Sequence, residues 1–126
     1  MRDDIVSVRY MVADVNEAID FYTNEFDFQL GQDASPAFAE VTRGHLRLLL
    51  AGPKSSAGRP MPDGREPEPG GWNRIHFVVD DIAAEVERLR SDGVAFRNEI
   101  ISGPGGQQTL LEDPSGNPIE LFQPAA

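Results

Sequence analysis

The chain has no cysteine. That excludes disulfides, thiolate nucleophiles and cysteine-ligated zinc. Histidine is almost as scarce: His45 and His76 are the only two, so little imidazole is available for metal binding or acid–base work. Basic residues are also few, 11 against 21 acidic, and the net charge is −10. No basic stripe is present, and the overall field repels nucleic acid and anionic membranes, so neither is expected as a partner. The plain use of such acidity is solubility. No apolar run approaches the ~20 residues that span a bilayer. The opening "MRDDIVSVRY" lacks the charged-then-apolar pattern of a signal peptide, and a cytoplasmic protein is the expectation. No Ser–His–Asp arrangement or nucleophile elbow is visible either.

What is present is ordinary for a globular chain: 126 residues, 40% hydrophobic and 25% charged, enough for one domain with a real core. Its organisation is an internal repeat. "SVRYMVADVNEAIDFY" (7–22) lies over "RIHFVVDDIAAEVERL" (74–89). Val8 falls on Ile75, Tyr10 on Phe77, Val12 on Val79 and Asp14 on Asp81. Each copy reads as an alternating strand followed at once by a helix. Asp14 and Glu17 have capping-box spacing, and Val15, Ala18, Ile19, Tyr22 and Phe26 form one apolar face. In the second copy Asp81 caps, Ile82, Val86 and Leu89 form the stripe, and Gly93 is the stop.

Three short strands are expected after each helix. In the first half they are 27–31, 37–42 and 46–51; in the second they are 94–99, 107–113 and 118–123. "GPGG" (103–106) and "DPSGNP" (113–118) are turn chemistry. "GPGG" lacks the lysine and the following helix of a phosphate-binding loop, so it reads as a hairpin turn. Module one is placed at about 4–51 and module two at about 73–124. The intervening loop, 52–72, is dense in proline, glycine and charge. It is long enough to be a lid, a binding loop or a solvated linker.

A tandem βαβββ repeat ending in "EDPSGNPIELFQP" resembles the vicinal oxygen chelate superfamily, the group of glyoxalase I, bleomycin-resistance proteins and ring-cleaving dioxygenases. "ADVNEAIDFYTNEFDF" (13–28) and "DPSGNPIELF" (113–122) carry the resemblance most specifically. It implies an α+β fold, with two tandem βαβββ modules forming curved mixed sheets around a cleft in a single domain, 1–126, and usually a homodimer. It does not imply one function, because the group includes metal-dependent isomerases, lyases and dioxygenases as well as metal-free proteins that sequester antibiotics.

In metal-using members, as the resemblance implies, ligands sit about seven residues before each helix-start Asp and on the last strand of each module. Here the first pair is Ser7 and Arg74. Laying "HLRLLL" over "NPIELF" makes the second pair Leu48 and Glu120. Leu48 has no donor, Ser7 is a weak one, and Arg74 brings a permanent positive charge to the place of a cation. Only Glu120 fits, so no metal is expected. The alternative is a shifted divalent metal near His76 and Glu120.

Strand parity puts Arg74 and His76 on one face and Ile75, Phe77 and Val79 on the other. The same rule puts Ser7, Arg9 and Met11 on the cleft face of the first half. Leu48 is expected there too, with Leu46 and Leu50, and Phe122 shares the phase of Glu120. His76 is a pocket histidine bonding a ligand or neighbour, part of the shifted metal site, or purely structural. His45 reads as a turn residue. Trp72 is a flat surface for planar ligands or an anchor for the loop.

Greasy walls with sparse polar groups suit a small-molecule site. The candidate ligand-binding set is Ser7, Arg9, Leu48, Trp72, Arg74, His76, Glu120 and Phe122. Its expected occupant is a small hydrophobic or aromatic ligand. An Arg74–Glu120 ion pair is expected in place of a metal. The competing reading is a lyase or isomerase in which Glu120 and Arg74 act as an acid–base pair.

Overall fold

The repeat stands out in the computed structural model, which describes residues 5–126; the expected start of module one at residue 4 lies outside them. The chain divides into two compact units, Met1–Gly70 and Gly71–Ala126. In unit 1 the elements are β1 (Val6–Met11), α1 (Val15–Phe26), β2 (Gln29–Ala34), β3 (Phe38–Arg43) and β4 (Leu46–Ala51). In unit 2 they are β5 (Ile75–Val78), α2 (Ile82–Ser91), β6 (Ile101–Gly103), β7 (Gly106–Glu112) and β8 (Pro118–Pro124). Each unit has one four-stranded sheet, β1-β4-β3-β2 and β5-β8-β7-β6. In each, the first strand runs parallel to the last and the other pairs are antiparallel.

The helices start and stop for local reasons. Asp14 accepts from the Glu17 amide at 3.0 Å, and Asp81 accepts from the Ala84 amide at 3.1 Å. Each carboxylate thereby satisfies an orphan donor of the first turn. Asp27 ends α1 in the left-handed region at φ 58°. Gly93, at φ 83°, follows α2, where a residue without Cβ adopts that turn without strain.

All five expected apolar positions of α1 are buried, and so are Ile82, Val86 and Leu89 of α2. The face of α1 packs on Tyr10, Val12, Ala39, Val41, Leu48 and Leu50, all buried. The Tyr10 and Tyr22 rings meet edge-on at 6.5 Å. In unit 2, Ile75, Phe77, Thr109, Leu111, Ile119 and Leu121 form the corresponding buried face. Each large aliphatic side chain so buried contributes about 1.5–3 kcal/mol.

Segment 94–99 differs from expectation: the ladder strand is β6, further along. Phe96 makes an isolated bridge to Leu111. Beside it the Asn98 side-chain oxygen takes the Leu110 amide at 2.9 Å and the Thr109 hydroxyl at 3.0 Å. A side chain has replaced the backbone acceptor, so regular pairing stops there. The "GPGG" hairpin turn joins β6 to β7. In the other turn, the Asp113 carboxylate accepts from the Ser115 and Asn117 amides and from the Asn117 side chain, at 2.9–3.0 Å. That pins β7 to β8. Loop 52–71 holds one 3-10 turn, Ser56–Gly58, capped by the buried Ser55.

Candidate functional site

Unit 2 presents a sheet face with no helix on it. Strand register assigns its residues: His76 lies opposite Glu120, Val78 opposite Phe122, and Leu110 opposite Glu120 on the other side. Because alternate residues share a face, Arg74, just before β5, projects with His76.

Glu120 is the chemical centre of this face. It is 8% exposed. The Arg74 guanidinium donates to its Oε1 from Nε at 3.0 Å and from Nη2 at 2.9 Å. The other oxygen faces His76 Nε2 at 3.5 Å. A carboxylate so far out of water needs a counter-charge, and the arginine provides it. The expected ion pair is present. Arg74 Nη1 also donates to the Trp72 carbonyl at 3.2 Å, fixing the guanidinium from behind.

An apolar wall adjoins these groups. The His76 and Phe122 rings lie 5.2 Å apart, tilted by 33°. Phe122, Ile101, Gln108 and the 103–106 turn line a recess of about 250 Å³. Trp72 is 71% exposed, so it does not anchor the loop in the core. Its ring lies against the Arg97 guanidinium, 4.8 Å from the ring centroid. Arg97 is itself held by Glu112 Oε2 at 2.8 Å and by the carbonyls of Gly71 and Gly116 at 2.8 and 3.0 Å. A clamped cation therefore supports the indole.

In unit 1, Ser7 and Arg9 are on the helix-free face of the sheet, as parity implies, but they do not share a partner. The Ser7 hydroxyl accepts from Arg47 Nε at 2.9 Å, and Arg47 also reaches Glu40 at 3.8 Å. Arg9 instead lines a cavity with Ala37, Phe38, Lys54, Ser55 and Ser56. His45 is in the β3–β4 turn, as expected.

Leu48 is the correction. It pairs with Val8 and Val41, is 0% exposed, and belongs to the face under α1. The residue opposite Arg9 is Leu49, which occupies in unit 1 the place that Glu120 occupies opposite His76 in unit 2. A slip of one residue moves a side chain to the other face of a sheet. The leucine run of β4 has no alternation to reveal the slip. Leu50 moves with Leu48, since it lies opposite Tyr10.

The resemblance implies a divalent metal in many members, and the corrected positions read Ser7, Leu49, Arg74 and Glu120. Leucine offers no donor, the Ser7 hydroxyl is engaged by Arg47, and Arg74 occupies one oxygen of Glu120. Among the described residues no group of three or more His, Asp or Glu side chains converges. This donor set does not fit a divalent ion, which needs several N or O donors at one point.

Several contributors were not anticipated: Arg97 beneath Trp72, Ile101 and Gln108 beside Phe122, and Phe38 and Lys54 beside Arg9. Lys54 is in the proline-rich loop, where composition gives no sign of which side chains turn inward.

Comparison with known proteins agrees with this fold. A relative from Shewanella frigidimarina (strain NCIMB 400), described only as an uncharacterized protein, is 28% identical over 98% of this chain and 95% of its own. A Sphaerobacter thermophilus member of the glyoxalase/bleomycin resistance protein/dioxygenase superfamily superposes with a TM-score of 0.76 at 28% identity, over 97% of this chain and 98% of that one. TnmS3, an antibiotic binding protein from Streptomyces sp. CB03234, superposes with a TM-score of 0.72 at 27% identity, over 98% of both chains. Among the described residues no helix is long and apolar enough to cross a membrane. The family model for the Glyoxalase/Bleomycin resistance protein/Dioxygenase superfamily matches residues 4–121, and the chain belongs to that superfamily.

Proposed function

We propose that this chain is a metal-free small-molecule-binding protein that holds a hydrophobic or aromatic ligand, an antibiotic or another planar metabolite, and works as a homodimer. The observation that carries this reading is the pairing of Arg74 with Glu120 at 2.9–3.0 Å. The carboxylate that a metal-using member would offer to its ion is neutralised here by a permanent cation. What remains is a fixed polar anchor, Arg74–Glu120–His76, beside the ring of Phe122 and the exposed indole of Trp72. Apolar surface holds a ligand and sparse, pre-positioned polar groups orient it. The antibiotic-binding relative at 27% identity supports this use of the fold.

The test combines metal analysis with ligand binding. Protein purified without chelator is expected to carry no stoichiometric Fe, Ni, Zn or Mn, and chelator is expected to leave its melting temperature unchanged. Trp72, the only tryptophan, reports binding by fluorescence across a panel of planar aromatic compounds. Stoichiometric metal whose removal destabilises the protein would overturn the metal-free reading and favour a lyase or isomerase. Fluorescence that ignores the whole panel would overturn the aromatic-ligand reading. Light scattering is expected to give twice the 13.8 kDa chain mass.

A further inference from the structure

The cavity of unit 1 has a volume of about 410 Å³. Its lining includes two cations, Arg9 and Lys54, one aromatic residue, Phe38, and the hydroxyl-bearing Ser56; none of the six lining residues is acidic. This is unexpected in a chain of net charge −10. Carboxylates are abundant, and most of the described arginines sit on one: Arg47, Arg65, Arg74, Arg88, Arg90 and Arg97 all do. Arg9 and Lys54 have no carboxylate within ion-pair distance among the described residues, although they converge on one recess from different elements. Arg9 comes from β1 and Lys54 from the loop after β4.

The recess is built rather than incidental. The hydroxyl of the buried Ser55 donates to the Gly52 carbonyl at 2.7 Å and accepts from the Gly58 amide at 3.1 Å. A Cβ on Gly58 would lie 2.5 Å from the Gly52 oxygen, so this close turn requires glycine there. Lys54 and Ser56 are thus carried by a pinned turn. Arg9 is carried by a strand whose neighbour, Tyr10, is fixed in the core.

We propose that unit 1 binds an anionic small molecule in this cavity, with Arg9 and Lys54 taking its carboxylate, sulfonate or phosphate and Phe38 taking its apolar body. Two cations that share a recess repel each other, and an anion relieves that repulsion. Charge-assisted hydrogen bonds from guanidinium and ammonium are the strong class, and the Ser56 hydroxyl adds a neutral donor. The inference rests on unit 1 alone, so it does not depend on the Arg74–Glu120 face being a ligand site.

The experiment follows backbone amide shifts of the full chain during titration with naphthalene-2-carboxylate, naphthalene-2-carboxamide and inorganic phosphate. The carboxylate is expected to move Ala37, Phe38 and 54–56, and to bind at least tenfold more tightly than the amide. Its affinity is expected to fall as salt rises. The Arg9→Gln/Lys54→Gln double variant is expected to abolish that tenfold preference while retaining the wild-type melting temperature. Arg65→Gln, which removes one positive charge from a residue paired with Asp63, is expected to keep it. Phosphate that moves the same amides assigns the site to the anion itself. Equal binding of carboxylate and amide, or an unchanged preference in the double variant, would overturn the proposal. So would shifts confined to unit 2, an outcome that leaves the reading of Trp72 and Phe122 intact.

Discussion

Replacing Arg74 by Met tests the central feature of unit 2. The substitution keeps the aliphatic stem and removes two nitrogens that lie 2.9–3.0 Å from Glu120 Oε1. The side chains of the pair are 30% and 10% exposed. Breaking a fully buried pair by deleting one member costs about 3–5 kcal/mol, whereas an exposed pair is worth about 0.2–1 kcal/mol. Arg74 keeps part of its hydration and Glu120 keeps almost none, so the expected loss is intermediate, about 2 kcal/mol. Most of it comes from stranding a carboxylate away from water. The His76 imidazole, 3.5 Å from Oε2, is too distant to replace two short bonds.

The Arg74→Met/Glu120→Leu double variant should recover most of the loss, because it strands no charge. Urea unfolding followed by far-UV circular dichroism gives both values. If the single variant changes stability by less than about 0.5 kcal/mol, or if the double variant is the less stable of the two, the reasoning that Glu120 depends on Arg74 fails.

Two further expectations test other parts of the structure. Leu48→Ala should cost about 2–5 kcal/mol, as for a fully buried leucine, and Leu49→Ala about 1 kcal/mol; urea titrations giving the reverse order would return Leu48 to the helix-free face. The Ser35 amide, and after it the Ser35 hydroxyl, hydrogen-bonds the exposed carboxylate of Asp33 and holds its pKa below the ordinary value. A depressed folded-state pKa contributes stability above the unfolded pKa that is lost as pH falls through the folded one; carboxyl-carbon NMR should show Asp33 titrating below the value of an aspartate in an unstructured peptide, and Ser35→Ala should raise its midpoint part of the way.

The local physics was legible in the chain. Helix stripes, caps and turns depend on residues a few positions apart, and Asp14, Asp81, Gly93, "GPGG" and "DPSGNP" took the roles their chemistry implies. Strand parity was legible wherever apolar and polar residues alternate, so Arg74, His76 and Glu120 could be placed on one face and paired in advance. It failed in "LRLLLA", where three consecutive leucines look equally suited to either face. Only pairing with Val8 and Val41 decided that Leu48 points under the helix and Leu49 away from it. The strand expected at 94–99 is absent for a different reason: the Asn98 side chain displaced a backbone partner.

The sequence by itself determined the repeated βαβββ plan, the acidic surface, the absence of thiol chemistry and the arginine at the position where a metal-using relative would keep a ligand. Periodicity, composition and capping need no distant contacts. Tertiary structure decided which side chains share a recess. Arg97 came beneath Trp72, and Lys54 came beside Arg9 and Phe38, because a folded chain joins residues whose separation along the sequence carries no periodic signal.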